Sequence, residues 1–309
     1  MNLTPVVTLI SAAATLAASA ITPAPRATPS SAAGAVSASL ARQQQCVPFA
    51  WIANDKGSAR GAITVPVQLD GKALRMQLDT GSDATSVYGH LAERAGWAKP
   101  GAETFRAHNL TIAGTVLDRS IVYVNTDMDE DPSVQGTLGL PALAGKVAVI
   151  DYPGSRFCLF AEPDLPASIS AAPFVRAMLR NSRMYVPVSA GEYSSDAIVF
   201  DTGSSELPLN VDLATWTRLT GRKSTARAPV SYRGSAWGKP LIIPGAPSTA
   251  SVKLGAIELG RLYVYTNPLQ PAGFADWPVR TDGVLGNAPV WDGIVILDLT
   301  AKVRFAFIR

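Results

Sequence analysis

One feature dominates this chain: the quartet Asp-Thr-Gly-Ser occurs twice, as Asp79–Ser82 and as Asp201–Ser204. An apolar, strand-like run precedes each copy, Leu74–Leu78 before the first and Ala197–Phe200 before the second. Asp, Gly and Ser are ordinary turn residues, so a single copy would carry little information. Two copies in matching surroundings predict two strands that each deliver a carboxylate into a tight turn, where the two carboxylates meet. The alternative is that both quartets are capped turns that open helices.

The residues around the two quartets are also duplicated. Each half has a Val-Pro-Val triplet before the quartet, an apolar pair closed by glycine after it, and then a strand-like run that ends in aspartate. These landmarks lie at Val65–Val67 and Val186–Val188, at Thr137–Gly139 and Val284–Gly286, and at Val147–Asp151 and Ile294–Asp298. A repeat of this kind must be recognised before a fold is assigned, and here it predicts two related lobes.

Composition excludes several classes of protein. The 309 residues are enough for one large or two medium domains. The proportions of 47% hydrophobic and 17% charged residues are typical of a globular chain. The net charge of +3 is small for this length, and the basic residues are scattered. We therefore expect no nucleic-acid partner.

The N-terminus resembles a targeting segment. Residues 6–20 are apolar and rich in alanine, and they end in the small residues Ala18-Ser19-Ala20. We expect residues 1–20 to be a signal peptide and the protein to be periplasmic or secreted, with no stable membrane span after removal of the signal. No Lys or Arg precedes Arg26, so a buried helix is the alternative. Residues 21–45, rich in Ala, Ser, Thr and Pro, are predicted to be a disordered spacer.

The chain has two cysteines, Cys46 and Cys158. In an exported protein an even number of cysteines indicates a disulfide, and this one would close a loop over most of the first half. The alternative is a pair of unpaired, buried thiols.

Short alternating runs with few helices predict a mainly-β architecture in two lobes. The expected boundaries are an N-terminal catalytic lobe at 46–165, a connection at 166–183 and a C-terminal catalytic lobe at 184–309. Asp70-Gly71 is a strong signal for a two-residue hairpin turn. Further elements are predicted as helices at 88–95, 211–219 and, between the lobes, 175–179, and as a long hairpin region at 228–251.

An acidic stretch, Asp127–Asp131, has the alternating acids of a calcium loop. Pro132 stands where such a loop requires glycine, and Leu138 stands where it requires the closing glutamate. We therefore predict a solvated loop and no metal site.

Two carboxylates that meet cannot lose their protons independently. Like charges at close range raise one pKa, so the pair holds one shared proton over a broad pH range. One carboxylate can then take a proton from water while the other, still protonated, polarises a carbonyl group. This chemistry suits amide hydrolysis and requires no metal, cofactor or covalent intermediate.

The other quartet residues have physical roles in such a pair. The glycines lack a Cβ, so the two loops can approach each other closely. The threonine hydroxyls can hydrogen-bond the opposite loop, and the serine hydroxyls can donate to the carboxylates and favour an ionised member. These supporting residues are Thr80, Gly81, Ser82, Thr202, Gly203 and Ser204.

The two quartets, each followed by an apolar-apolar-Gly element, resemble the pepsin-like and retropepsin-like aspartic proteases, in particular single-chain bacterial members. The resemblance covers roughly residues 48–309. It implies a mainly-β, bilobal pepsin-like acid protease fold built from two related retropepsin-like β lobes. It also implies that Asp79 and Asp201 form the catalytic pair in a cleft between the lobes, with Leu138-Gly139 and Leu285-Gly286 beside the two loops.

The two halves differ in the hairpin that could cover this cleft. In the pepsin-like enzymes that the chain resembles, the first lobe carries a substrate-covering flap, usually with a tyrosine. Here the first lobe offers only residues 100–109, without tyrosine, whereas the second half is longer, largely around residues 231–248. We expect the second-lobe hairpin to cover the cleft, with Tyr232 or Trp237 over the substrate. The alternative is a surface loop.

The sequence thus predicts an exported, monomeric aspartic endopeptidase that acts on peptide or protein substrates. A different class stays open, a peptide-binding module that keeps the protease fold but turns over weakly or not at all because its first flap is short. A narrow processing enzyme whose partner supplies part of the cleft is a third interpretation.

Overall fold

A computed structural model describes residues 31–54, 58–117, 120–236 and 239–309. Within these residues the chain consists mainly of β-strands with few helices, as the sequence predicts. The predicted signal peptide at 1–20 lies outside the described residues. Among the described helices, none is both long and apolar enough to cross a membrane.

The elements are numbered in chain order. The first-half strands are β1 (Cys46–Pro48), β2 (Ala50–Ile52), β3 (Ala62–Leu69), β4 (Lys72–Asp79), β5 (Thr85–Tyr88), β6 (Thr104–Arg106), β7 (Leu110–Ile112), β8 (Thr115–Leu117), β9 (Ile121–Asn125), β10 (Gly136–Gly139), β11 (Val147–Asp151) and β12 (Arg156–Phe160). The second-half strands are β13 (Val175–Arg176), β14 (Met178–Arg180), β15 (Arg183–Ala190), β16 (Tyr193–Asp201), β17 (Leu209–Val211), β18 (Val230–Ala236), β19 (Lys239–Pro247), β20 (Val252–Leu254), β21 (Ile257–Gly260), β22 (Tyr263–Tyr265), β23 (Gly283–Gly286), β24 (Ile294–Asp298) and β25 (Arg304–Ile308). The α-helices are α1 (Ser31–Leu40), α2 (Leu91–Arg94), α3 (Ala167–Ser170) and α4 (Leu213–Thr220), and 3-10 helices lie at Leu140–Leu143, Glu162–Asp164, Thr225–Arg227 and Ala288–Val290.

The first lobe is a nine-stranded sheet in the order β6-β9-β5-β10-β4-β3-β7-β8, with β2 beside β3. Its hairpin β3–β4 turns at Asp70-Gly71, as predicted. Both turn residues have positive φ angles, 44° and 84°, which is the backbone conformation that a two-residue turn of this kind requires. The hairpin leads the chain directly into the first Asp-Thr-Gly-Ser quartet.

The second lobe repeats the core of this sheet. Its ten strands run in the order β18-β19-β22-β17-β23-β16-β15-β20-β21, with β14 beside β15. In each lobe the strand that leads into a quartet pairs in parallel with the strand of the apolar-apolar-Gly element, β4 with β10 and β16 with β23. The duplication in the sequence is therefore a duplication of strand order.

A third sheet joins the lobes, in the order β1-β12-β11-β24-β25-β13. Its centre is the antiparallel pair β11–β24, in which Val149 lies opposite Ile296. Every residue of these two strands is buried, which agrees with their continuous apolar sequence. One strand from each half thus forms the seam between the lobes.

Helix α1 packs on this shared sheet, which corrects one sequence prediction. Its buried residues Ala33, Val36 and Leu40 recur at helical spacing and belong to one hydrophobic cluster with Val149 and Ile296. The prediction of a disordered spacer at residues 21–45 is therefore wrong for residues 31–40. The local composition carried no sign of this helix, because its stability comes from strands that are distant in the sequence.

The connection between the lobes also differs from its prediction. The helix expected at 175–179 is replaced by β13 and β14, in which Val175 lies opposite Phe305 and Met178 lies opposite Tyr185. So short a helix would be marginal, whereas an existing sheet edge offers backbone partners at once. Helix α2 is shorter than the predicted 88–95, because residues 85–88 form β5.

The acidic residues Asp127–Asp131 lie in a loop between β9 and β10, and most of them are exposed to solvent. In the part of the chain that the structure describes, no group of three or more His, Cys, Asp or Glu side chains is placed to hold a metal ion. The exposure of these acidic residues agrees with the predicted solvated loop.

Cys46 and Cys158 form the disulfide that the sequence predicts. The two residues are directly opposed in the antiparallel pair β1–β12. The bridge therefore fastens the segment after α1 to the sheet that both lobes share.

Replacing both cysteines by alanine should lower the free energy of unfolding. The bridge spans 112 residues of sequence, and a cross-link of that length contributes roughly 5 kcal/mol in the chain-entropy model. We expect the double variant to unfold at a clearly lower urea concentration than the oxidised protein. Equal midpoints for the variant and the oxidised protein would contradict this account.

Candidate active site

Both quartets, hereafter the first and second aspartate loops, begin at the C-terminal ends of the equivalent strands β4 and β16. The strand register places Gly139 beside Asp79 and Gly286 beside Asp201. A Cβ on Gly139 would clash with the carbonyl oxygen of Ala84, and a Cβ on Gly286 would clash with the carbonyl oxygen of Ser204. Only glycine allows each loop to fold back so closely on the neighbouring strand, so the apolar-apolar-Gly elements lie beside the two loops as the resemblance implies.

The two threonine hydroxyls make four hydrogen bonds between the halves. Thr80 donates its hydroxyl to the carbonyl oxygen of Phe200 (3.0 Å) and accepts from the N–H of Thr202 (3.0 Å). Thr202 makes the symmetric contacts, donating to the carbonyl oxygen of Leu78 (2.7 Å) and accepting from the N–H of Thr80 (3.0 Å). Both threonines are buried, where an unpaired polar group would be costly. These contacts hold the two loops against each other.

The glycine of each loop lies against the aspartate of the other loop. A Cβ built on Gly81 would lie 2.4 Å from the carboxyl carbon of Asp201. One built on Gly203 would lie 2.7 Å from the carboxyl carbon of Asp79. Any larger residue at either position would push a carboxylate away, so the two glycines allow the carboxylates to lie close together at the lobe interface.

Backbone N–H groups orient the two carboxylates. Asp79 Oδ1 accepts hydrogen bonds from the N–H groups of Gly81 and Ser82, both at 3.0 Å. Asp201 Oδ1 accepts from the N–H of Gly203 at 2.7 Å. Such bonds fix the position of each carboxylate and favour its ionised form.

The hydroxyl of Ser82 does not have the role that the sequence predicts. It donates to the carbonyl oxygen of Ala84 (2.8 Å), which closes the first loop, and the residue reaches Asp79 through its backbone N–H instead. The N–H of Ser204 likewise lowers the pKa of Asp201. The Ser82 hydroxyl thus stabilises its turn, and the backbone N–H groups of both serines act on the carboxylates.

Burial raises the pKa of both carboxyl groups, and repulsion by Asp201 raises that of Asp79 further. The pKa of Asp79 lies well above its usual range, first because burial disfavours its charge and second because the Asp201 carboxylate repels it. Burial also raises the pKa of Asp201, and the N–H groups of Gly203, Gly81 and Ser204 oppose that shift. The pair therefore keeps one proton over a wide pH range.

Two side chains that the sequence analysis did not single out brace the loops from behind. Arg183 donates from Nε to the carbonyl oxygen of Gly81 (2.8 Å), and its guanidinium pairs with Asp83 (3.2 Å). Asn287 donates from Nδ2 to the carbonyl oxygen of Thr202 (3.1 Å). A polar residue directly after the second apolar-apolar-Gly element is a signal that could have identified Asn287. We find no comparable local signal for Arg183.

The long hairpin predicted at 228–251 is β18–β19, and it is connected to the segment that follows the second loop. The hydroxyl of Tyr232 donates to Glu206 Oε2 (3.1 Å), and Asn54 of the first lobe hydrogen-bonds the same oxygen. Trp237 lies outside the described residues. At the corresponding edge of the first-lobe sheet, β6 is three residues long and pairs with β9.

Comparisons with known proteins find similar structures but no family. No protein-family model matches the chain, and no curated protein matches it. Among the solved structures that match is basic 7S globulin from soybean, at 12% identity and a TM-score of 0.47, over 85% of this chain and 94% of the globulin chain. The fold assignment comes from the topology described above. Two repeated lobes, a shared sheet and crossed aspartate loops constitute a mainly-β, bilobal pepsin-like fold.

The raised pKa of Asp79 predicts that Asp79→Asn stabilises the folded protein at neutral pH. A carboxyl group whose pKa is higher in the folded state stabilises the fold while it is protonated, and this contribution is lost as the pH rises through the folded-state pKa. Asparagine has no charge to bury. We expect the melting temperature of the variant at pH 7 to exceed that of wild type by at least about 2 °C. The difference in melting temperature should shrink towards pH 3. An equal difference at pH 7 and pH 3 would contradict a raised pKa of Asp79.

Proposed function

We propose that this chain is an exported aspartic endopeptidase, which hydrolyses peptide bonds with a water molecule activated by Asp79 and Asp201. The observation that carries the proposal is that each aspartate loop is hydrogen-bonded to, and packed against, the equivalent loop of the other half. Threonine hydroxyls join the loops, and each glycine leaves room for the opposite carboxylate. Burying two repelling acids lowers stability, and such an arrangement is typical of sites where perturbed pKa values serve catalysis.

The single proton of the pair gives the two carboxyl groups complementary roles. The ionised carboxylate takes a proton from water while the water oxygen forms a bond to the carbonyl carbon of the peptide. The protonated carboxyl donates its proton to the carbonyl oxygen, which produces a neutral tetrahedral diol. The pair is again singly protonated, with the roles of its two members exchanged.

The second half of the reaction uses the same proton count. The newly protonated carboxyl donates its proton to the amide nitrogen as the C–N bond breaks. The other carboxylate takes a proton from a hydroxyl group of the diol, which becomes the carboxylic acid of the first product. The pair returns to its starting state, so no external acid or base is required. Backbone donors at Gly81, Ser82 and Gly203 already hold the carboxylates in position, which reduces the reorganisation needed during reaction.

The hairpin β18–β19 is the element that we propose covers the cleft. The Tyr232 hydroxyl connects it to Glu206, five residues after Asp201. The Tyr232 ring packs with Leu207 and Ile243 in a small hydrophobic cluster. Since β6 in the first lobe is short, we propose that the second lobe covers the substrate and that Tyr232 contacts it.

Two observations support the proposed location and assembly. The disulfide Cys46–Cys158 is of the kind that persists in oxidising compartments, which agrees with the signal peptide predicted at 1–20. Both aspartates of the pair come from one chain, so the proposed chemistry needs no second subunit. We therefore propose a monomer that acts in the periplasm or outside the cell on peptides or proteins.

The competing proposal is a protease-fold module that binds peptides with weak turnover or none. The short strand β6 supports it, because the first lobe then contributes little to closing the cleft. The intact aspartate pair favours the enzyme, because a site that only bound peptides would gain nothing from two buried acids that share a proton. Measurements of cleavage distinguish the two proposals.

Asp79→Asn and Asp201→Asn should each abolish peptide cleavage. Without one carboxyl the pair can no longer both accept a proton from water and donate one to the carbonyl oxygen. We expect kcat/KM to fall by at least about 10³-fold in each variant. The assay is cleavage of a diverse peptide library from acid to neutral pH, and a statine-type inhibitor should block the wild-type activity.

Asp196→Asn is the matched control, because Asp196 is an exposed aspartate on β16, the strand that leads to Asp201. It should retain wild-type activity. A folded wild-type protein that cleaves no peptide at any pH would exclude the enzyme and leave the binding module. Cleavage that survives either substitution within the pair would show that another site is responsible.

Tyr232→Ala should lower kcat/KM, mainly through a higher KM, if the hairpin covers the substrate. We expect a change of about 5- to 20-fold, because loosening a covering element affects binding more than the proton transfers. Tyr263→Ala is the control, since Tyr263 is an exposed tyrosine on β22 of the same lobe. Equal kinetics for both variants and wild type would mean that β18–β19 is an ordinary surface hairpin.

A further inference from the structure

Arg183 is a buried cation that links the second lobe to the first aspartate loop. It opens β15 of the second lobe and is 6% exposed. One edge of its guanidinium contacts the carbonyl oxygen of Gly81 (2.8 Å) and the carboxylate of Asp83 (3.2 Å), and its face lies 4.8 Å from the ring centre of Trp277. Ion pair, hydrogen bond and stacking together fix the orientation of the planar group.

The Gly81 carbonyl that Arg183 holds belongs to the same peptide group as the N–H of Ser82. That N–H donates to Asp79 Oδ1 at 3.0 Å. A cation on the carbonyl oxygen polarises the peptide, which makes its N–H a stronger donor to the carboxylate. Arg183 thus reaches Asp79 through a single rigid peptide plane, without touching the carboxylate itself.

The second aspartate loop is braced in the same way but by a neutral group. Asn287 donates to the carbonyl oxygen of Thr202, and the N–H of the same peptide group, that of Gly203, donates to Asp201. An amide polarises a peptide less than a guanidinium does. The two carboxylates are therefore supported through peptide groups one position apart in the repeat, Gly81–Ser82 with a guanidinium behind it and Thr202–Gly203 with a neutral amide behind it.

The repeat shows that this asymmetry is a difference between the halves. Arg183 lies three residues before the Val-Pro-Val triplet at Val186, and Ala62 occupies the same place before Val65. Its partner Asp83 follows Asp79 by four residues, and the equivalent residue in the second loop is Ser205. The ion pair of Arg183 with Asp83 therefore supports the loop of Asp79 and has no counterpart at the loop of Asp201 among the equivalent residues Ala62 and Ser205.

We propose that Arg183 is a positioning residue of the aspartate pair, which fixes the Gly81–Ser82 peptide behind Asp79 and thereby sets the pH range in which the pair is singly ionised. This inference rests on the proposed function for its kinetic consequence. Its electrostatic consequence does not depend on turnover and can be measured in any folded protein.

The other titratable groups near the aspartate pair, Tyr88 and Asp83, do not offset the loss of the Arg183 charge. Tyr88 of β5 is buried, hydrogen-bonds Thr137 (2.6 Å) and stays neutral, because burial and the charge of Asp79 both raise its pKa. Asp83 is paired with Arg183 itself. Removing the arginine therefore withdraws positive charge from the pair and weakens the Ser82 N–H bond, and both changes favour protonated carboxyls.

The test compares Arg183→Gln with wild type in two measurements. The first is the pH profile of kcat/KM, in which we expect a loss of about 10-fold and a shift of both limbs to higher pH by roughly half a unit. The second is a carbon-13 NMR titration of the aspartate carboxyl groups, in which the ionisations of Asp79 and Asp201 should move in the same direction. Arg183→Lys keeps the charge but cannot reproduce the fork and the stacking, so it should lose activity with a smaller shift.

Arg304→Gln is the matched control. Arg304 also pairs with a buried aspartate, Asp298 (2.7 Å), and also lies over an aromatic ring, Phe174 (3.9 Å), but it belongs to the shared sheet. It should lower stability while leaving the pH profile and the titration of Asp79 and Asp201 unchanged, although the titration of its own partner Asp298 changes.

The outcomes separate this inference from the proposed function. An inactive wild type whose carboxyl titration shifts in Arg183→Gln would contradict the enzyme and support the positioning role. An active wild type with unchanged limbs and unchanged titration in Arg183→Gln would contradict the positioning role alone. If the Gln variant does not fold, Arg183→Lys decides, and a Lys variant identical to wild type in both measurements overturns the inference.

Discussion

The threonine hydroxyl of each aspartate loop is hydrogen-bonded to the backbone of the opposite lobe, and the rest of the structure depends on these reciprocal contacts. Thr80 and Thr202 together join strand ends of two different sheets through four short hydrogen bonds. Because these groups are buried, separating the loops would leave several polar atoms unpaired. The same contacts that stabilise the interface force two carboxylates together, so the fold and the unusual electrostatics of the site have one origin.

These hydrogen bonds require the two lobes to keep the same relative position, and the sheet that both lobes share holds them in it. Strands β11 and β24 pair across the seam, and α1 packs on strands from both halves. The disulfide fastens the segment after α1 to β12. The hairpin β18–β19, which we propose covers the substrate, lies away from this shared sheet, at the edge of the second-lobe sheet.

The two halves share a core and differ in what surrounds the aspartate loops. The quartets, the glycines that follow them and the strand order are repeated. The charged brace at Arg183, the amide brace at Asn287 and the long hairpin each occur in one half. A reaction that gives its two acids different roles benefits from such differences, since a perfectly symmetric pair offers no preference for which carboxyl keeps the proton.

Much of this could be predicted from sequence, because the decisive signals are local or repeated. The duplicated motif predicts that Asp79 and Asp201 lie together as a pair. The dipeptide Asp70-Gly71 predicts a hairpin turn, because both of its residues tolerate positive φ angles, and the even number of cysteines predicts the disulfide. What only tertiary structure decided are the features whose partners lie far along the chain: the helix at 31–40, the strands at 175–180, and the contact of Arg183 with the Gly81 carbonyl. Local composition specifies which conformations a segment can adopt, whereas burial and hydrogen-bond partners from the other half of the chain select among them.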